Sequence, residues 1–155
     1  MKILVNLDRG VLTTEGLEAP VSCDVRNELN GRRGVNEVVF TLPGGRPYYP
    51  RRFPRGTWQV LDIRARSDPY RAPFFIATDA NQLVDEWSTV EIDGVPQYDK
   101  PTGRKVVDKE YGLHYSTSPT TTGCIKIINR ADLLTLVELI RAAWKRSEVV
   151  NLEVS

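Results

Sequence analysis

Only one stretch of this chain repeats its apolar residues at helical spacing. Leu133, Leu136, Val137, Ile140 and Trp144 fall on one face of an amphipathic helix. Asn129 stands where an N-cap belongs, with Asp132 in a capping-box-like place. Arg141, Lys145 and Arg146 lie in the last turns, where cations suit the helix dipole. Most of the chain before this helix has strand character. Lys2 to Leu7, Pro20 to Arg26, Asn36 to Leu42, Thr57 to Ala65 and Phe74 to Thr78 alternate or run apolar with β-branched residues. Ser88 to Ile92, Gly112 to Ser116, Cys124 to Ile128 and Val149 to Val154 predict further strands. Pro43-Gly44-Gly45 and Asp93-Gly94 read as turns, Gly44 to Gly56 as a loop, and Asn81 to Trp87 as a short helical turn. Strands first and a helix late give a mainly β class: a β-sandwich or half-open barrel with one helix, in the C-terminal region, packed on it.

A length of 155 residues fits a single domain spanning 1–155, able to bury a core without staples. No internal repeat or linker divides it. Lys and Arg number 21 against 20 Asp and Glu, so the charge balance gives no support for a nucleic-acid-binding surface or an acidic tail. Two cysteines cannot form a disulfide framework; a Cys23–Cys124 bridge is the one pairing available, and Cys23, in an apolar strand, reads as core. No apolar run is long enough to span a bilayer. Met1 to Asp8 is broken by Asn6 and Asp8, lacks a small-residue cleavage site and reads as a first strand, not a secretory signal. The expectation is a soluble chain, cytoplasmic at synthesis.

The chemistry concentrates around the sole histidine. His114 precedes Cys124 in the run Leu113-His-Tyr-Ser-Thr-Ser-Pro-Thr-Thr-Thr-Gly-Cys-Ile-Lys-Ile127. A thiol becomes a strong nucleophile as thiolate, and a nearby imidazole can take the proton and hold the ion pair. Thr121, Thr122 and Gly123 form a turn that presents Cys124 at the start of an apolar strand. Glycine lets the backbone bend, and N–H groups at such a turn can face a developing oxyanion.

This segment resembles the L,D-transpeptidase catalytic domain, the YkuD-like family, in a compact and divergent form. That family carries a histidine, a loop, then Ser/Thr-His-Gly-Cys-apolar-Arg; the matching run here is Thr121-Thr122-Gly123-Cys124-Ile125-Lys126. Phe53-Pro54-Arg55-Gly56-Thr57-Trp58 looks like the family's Thr-Pro-x-Gly-x-aromatic element. Tyr111-Gly112-Leu113-His114 looks like the strand that brings in the catalytic histidine. The resemblance covers about residues 35 to 145. Thr122 stands where the signature has a second histidine, Lys126 where it has arginine, and Tyr115 where Gly or Ser is common. The His-to-Cys loop is also shorter than in most members.

The resemblance implies a cysteine-dependent L,D-transpeptidase or L,D-carboxypeptidase acting on peptidoglycan tetrapeptide stems, with no cofactor. Cys124 is then the nucleophile and His114 its base. The backbone of Gly123 and Cys124 forms the oxyanion site. Thr121 and Thr122 contact the imidazole or substrate, Lys126 meets a substrate carboxylate without arginine's bidentate fork, and Ser116 is a further candidate to orient the imidazole. With no secretory signal visible, it implies action at the cell wall after release or signal-independent export, as in a phage-borne protein or effector. Two rivals stand beside it: an inactive structural or virion-associated protein of the same fold, and a cysteine amidase or endopeptidase. Papain-like wall hydrolases place Cys before His, the reverse of this order.

Other residues carry weaker signals. Arg46, Arg51, Arg52 and Arg55, interleaved with Tyr48, Tyr49 and Phe53, read either as a solvated loop or as a grip for an anionic polymer or sugar. Trp58, Trp87 and Trp144 read as core. One histidine and two distant cysteines lack zinc-ligand spacing. Asp62, Asp79 and Asp108 show no pairing that points to a two-carboxylate glycosidase.

Overall fold

Side-chain alternation along the first strand sets the inside and outside of the molecule. Ile3 and Val5 are fully buried, while Lys2 and Leu4, which alternate with them, face out. The computed structural model describes residues 1–24, 52–68, 72–117 and 123–155. Its strands are β1 (Lys2–Asn6), β2 (Val11–Thr14), β3 (Val21–Asp24), β4 (Gly56–Ala65), β5 (Phe74–Thr78), β6 (Gln82–Ile92), β7 (Val95–Asp108), β8 (Gly112–Tyr115), β9 (Ile125–Ile127) and β10 (Asn151–Val154). The helix α1 (Arg130–Lys145) lies between β9 and β10. The mainly β class with a single helix holds for the described residues, and the barrel closes rather than standing half open. Its order is β1-β10-β4-β5-β8-β9-β3-β2, with β2 pairing back onto β1. Two ladders are parallel, β1 with β10 and β8 with β9; the other barrel ladders are antiparallel.

Closure leaves the barrel no free edge, and its inward residues form one core. Ile3, Leu12, Ile76, Leu113, Ile125 and Leu152 are all at 0% exposure within it. Burying each such side chain contributes about 1.5–3 kcal/mol. The helix adds its apolar face to the same core through Leu133, Leu136, Val137, Ile140 and Ala143. Trp58 and Trp144 are half-buried and pack against that core. Asn129 takes the N-cap position with extended backbone, but its side chain makes no capping bond; its Nδ2 donates to Asp132 Oδ2 at 3.2 Å. The C-terminal end closes with Ser147 at φ 59: Ser147 N–H donates to the Trp144 carbonyl and Glu148 N–H to the Ala143 carbonyl.

Strands β6 and β7 form a separate two-stranded ribbon. The expected Asp93-Gly94 turn joins them, with both residues at positive φ between the paired Ile92 and Val95. The helical turn expected over Asn81 to Trp87 is instead the start of β6. Pairing to β7 overrides the local signal there: Lys105 pairs with Asp85, and Arg104 Nη2 meets Glu86 Oε1 at 2.6 Å. A buried network fixes the ribbon's base to the barrel. The Tyr111 hydroxyl donates to the buried Asp108 carboxylate and accepts from Gln82 Nε2 at 2.7 Å. Gln82 Nε2 also donates to the Arg52 carbonyl at 2.9 Å. Asp108 is thus a structural acceptor. Asn36 to Leu42, the turn Pro43-Gly44-Gly45 and Arg46, Tyr48, Tyr49 and Arg51 lie outside the described residues.

Among the described residues no helix is long and apolar enough to cross a membrane.

Candidate active site

The parallel ladder of β8 and β9 brings the motif's two halves side by side. Leu113 pairs with Ile125, His114 with Lys126 and Tyr115 with Ile127. Leu113 and Ile125 face the core at 0% exposure. Alternation therefore turns His114 and Lys126 outward, with Cys124 and Gly112 one step back on the same outer face. His114 thus lies on β8 and Cys124 immediately before β9, two residues back from Lys126, which stands directly across from His114. Strand spacing and rise put the His114 and Cys124 Cα atoms about 8 Å apart.

An outward face of a barrel is ordinarily wet, but this one is covered. His114 is 6% exposed and Lys126 7%. Buried polar side chains of this kind are informative where exposed apolar ones are not. The row continues across the sheet. Asp24 on β3 pairs in register with Lys126, and Phe75 on β5 pairs with His114. Lys126 Nζ lies 4.0 Å from Asp24 Oδ2, with both side chains largely out of solvent. Lys126 is therefore not a solvated strand residue. Its ammonium faces a carboxylate of this chain.

His114 Nδ1 lies 3.0 Å from the Tyr115 carbonyl oxygen. A carbonyl only accepts, so Nδ1 donates in that contact, and in the neutral ring the lone pair lies on Nε2. This is the tautomer a general base needs. Ser116 is buried two residues beyond His114 on the same face. Cys124 is half-buried and its sulfur donates to the Glu110 carbonyl at 3.9 Å. The sulfur is turned toward the residues before β8. Glu110 itself holds φ 67, a strained value for a residue with a side chain, at the point where its carbonyl meets the sulfur.

Gly123 takes φ 129, a value that side chains rarely adopt. The bend that starts β9 therefore requires glycine there, as the Thr-Gly-Cys turn implied. Thr121 and Thr122 lie outside the described residues. Gly112 is required for a different reason. A Cβ on it would stand 2.5 Å from the Ile76 carbonyl oxygen and 2.4 Å from Phe75 Cζ.

Two clefts flank this row. One, of about 350 Å³, is lined by Asp8, Arg9, Gly10, Cys23, Asp24 and Arg52. Arg55 stands near it, exposed and paired with Asp8 at 3.0 Å. The other, of about 360 Å³, has Phe75, Ala77, Leu61 and Tyr111 among its walls and reaches Glu110. Phe53, read above as part of a solvated or sugar-gripping stretch, is neither. It is 2% exposed and packs edge-on to Tyr111 with centroids 5.4 Å apart. Phe75 was not visible as a site residue in sequence, where Phe74 to Thr78 is only a short apolar run. Among the described residues no group of three His, Cys, Asp or Glu side chains is placed to hold a metal ion.

The two cysteines are free thiols with different surroundings. Cys23 is core, and burial, with a smaller contribution from the Asp24 charge, pushes its thiol up to about 11. At pH near 8 about one Cys23 in a thousand is then thiolate. Iodoacetamide is expected to modify Cys124 in the folded protein and spare Cys23 until denaturant is added. Peptide mass spectrometry checks this; labelling of Cys23 ahead of Cys124 would contradict it.

No family model matches the chain, no curated protein matches it and no solved structure matches it.

Proposed function

We propose that the chain is a cysteine acyltransferase of the L,D-transpeptidase type, acting on peptidoglycan tetrapeptide stems. The observation that supports this most is the covered outer face of the β8–β9 pair, with His114 on β8, its Nδ1 on the Tyr115 carbonyl, and Cys124 at the entry to β9. In this reading the sulfur turns about χ1 from the Glu110 carbonyl toward Nε2, which takes its proton. The thiolate attacks the carbonyl of the L-centred diamino acid. The backbone N–H groups at Gly123 and Cys124 stabilise the oxyanion. The imidazolium returns the proton to the leaving D-alanine amine, and a thioester remains on Cys124. An amine acceptor gives a cross-link; water gives carboxypeptidase activity.

Lys126 has a changed role in this scheme. Its ammonium already faces Asp24, so it joins the frame of the site and leaves recognition of a substrate carboxylate to other groups. In this reading Arg9 and Arg52, which line the polar cleft, take that role, since Arg55 is already paired with Asp8.

The test is mass spectrometry of purified muropeptides incubated with the wild-type protein and with Cys124→Ala. Loss of one D-alanine, or a cross-linked dimer, is expected with the wild type and absent with the variant. A cut inside the stem would instead identify an amidase or endopeptidase. A second reading is an inactive structural protein. What favours it is that the resting sulfur meets the Glu110 carbonyl and Lys126 meets Asp24, contacts that also serve a purely structural strand. Stems of several chemistries left unchanged by folded wild-type protein would select it.

A further inference from the structure

We infer that Phe75 is a positioning residue for His114, holding the imidazole in the orientation that serves Cys124. The inference rests on the reading of Cys124 and His114 as a reacting pair. Phe75 and His114 face each other in the β5–β8 register, and their rings stack with centroids 6.1 Å apart and planes 29° apart. Phe75 is 5% exposed, so its ring is held by packing.

The ring also reaches along the strand. It fills the space that a side chain on Gly112 would occupy, since a Cβ there would meet Phe75 Cζ at 2.4 Å and Cε1 at 2.8 Å. Gly112 is the residue beside Cys124 when the β8–β9 register is followed one step back. One flat side chain therefore extends from the imidazole to the ladder position next to the nucleophile. The missing side chain at Gly112 is what admits it.

Phe75 fixes the imidazole from one side, while the Tyr115 carbonyl fixes it at Nδ1. The stack sets the ring plane and the Nδ1 contact its direction, so that Nε2 is the nitrogen that addresses the sulfur in the reacting pair. Among the described residues, charged groups near this pair include the Lys126–Asp24 pair across the ladder and the Arg66 guanidinium, 5.9 Å from the Phe75 ring centroid. Phe75 also walls the 360 Å³ cleft, with Arg64, Lys109 and Glu110 at its margin. A group bound in that cleft would therefore press on the residue that holds the base.

The experiment measures the rate of iodoacetamide modification at Cys124 against pH, in the full chain. Wild type, Phe75→Leu, Phe75→Tyr and His114→Gln are compared, with thermal unfolding followed in parallel. A working pair gives the wild type a rate at about pH 6 that His114→Gln loses. Phe75→Leu is then expected to lose about tenfold of that rate, a shift of about one pH unit in the profile. Phe75→Tyr, which keeps a flat ring, is expected to stay within about twofold of wild type. If Phe75→Leu does not fold, Phe75→Met is read in its place. A folded Phe75→Leu whose profile superimposes on the wild type overturns the positioning role alone. A wild-type profile identical to that of His114→Gln overturns the reacting pair, and the positioning role with it.

Discussion

Replacing His114 with glutamine is expected to slow D-alanine release from tetrapeptide stems by about 10²–10⁴-fold, with the barrel still folded. Glutamine can still donate a hydrogen bond toward the Tyr115 carbonyl, so the strand keeps its local contact. It cannot take the thiol proton or return it to the leaving amine. The ring's packing against Phe75 is lost, which costs stability but does not open the core, because His114 faces outward. The inward neighbours Leu113, Ile125 and Ile127 are untouched and at 0% exposure. Rates of D-alanine release, with circular dichroism as the folding control, check the prediction. An unchanged rate would remove His114 from the mechanism.

Lys126→Ala is expected to destabilise the protein by about 3 kcal/mol, well beyond the usual cost of an exposed lysine substitution. The lysine and Asp24 side chains are 9% and 13% exposed, so removing one leaves a charge in a covered place. Asp24 also stands beside Cys23, whose thiol is raised chiefly by burial and further by the Asp24 charge. Asp24→Leu with Lys126→Met is expected to recover most of the loss, because an apolar pair needs no partner charge. Urea unfolding of Lys126→Ala and of the double variant checks both statements. A Lys126→Ala loss within about 0.5 kcal/mol would show that the pair behaves like a surface ion pair.

The strands of the barrel were legible in the sequence because burial on one face writes itself as alternation. Lys2 to Leu7, Thr57 to Ala65, Phe74 to Thr78 and Val149 to Val154 all cover observed strands. The helix was legible through its apolar face and ends at Lys145. β2 was missed because four residues, Val11–Thr14, are too few to show a period. β7 was missed because Pro96, Pro101 and Gly103 punctuate it, and a strand in a two-stranded ribbon tolerates them. β6 lost its first half to a helical reading of residues that only cross-strand partners define.

The site was half legible. Spacing places His114 and Cys124 in one segment, and the fold sets His114 on β8 and Cys124 at the entry to the neighbouring β9. Their two-residue offset was not legible, because register depends on how β9 meets both β3 and β8. Asp24, Phe75 and Gly112 were invisible as site residues for the same reason. Each is far from the motif or unremarkable in sequence, and each matters through a cross-strand neighbour. The Glu110 carbonyl carries no sequence signal at all, being main chain.

The most direct measurement is the intact mass of the protein after brief incubation with a tetrapeptide stem and rapid acid quenching. Nucleophilic catalysis at Cys124 predicts a mass increase equal to the stem without its terminal D-alanine. That increase should be removed by hydroxylamine and absent in Cys124→Ala. Release of D-alanine by folded wild-type protein without any such adduct, or equal release by Cys124→Ala, would contradict a thioester mechanism.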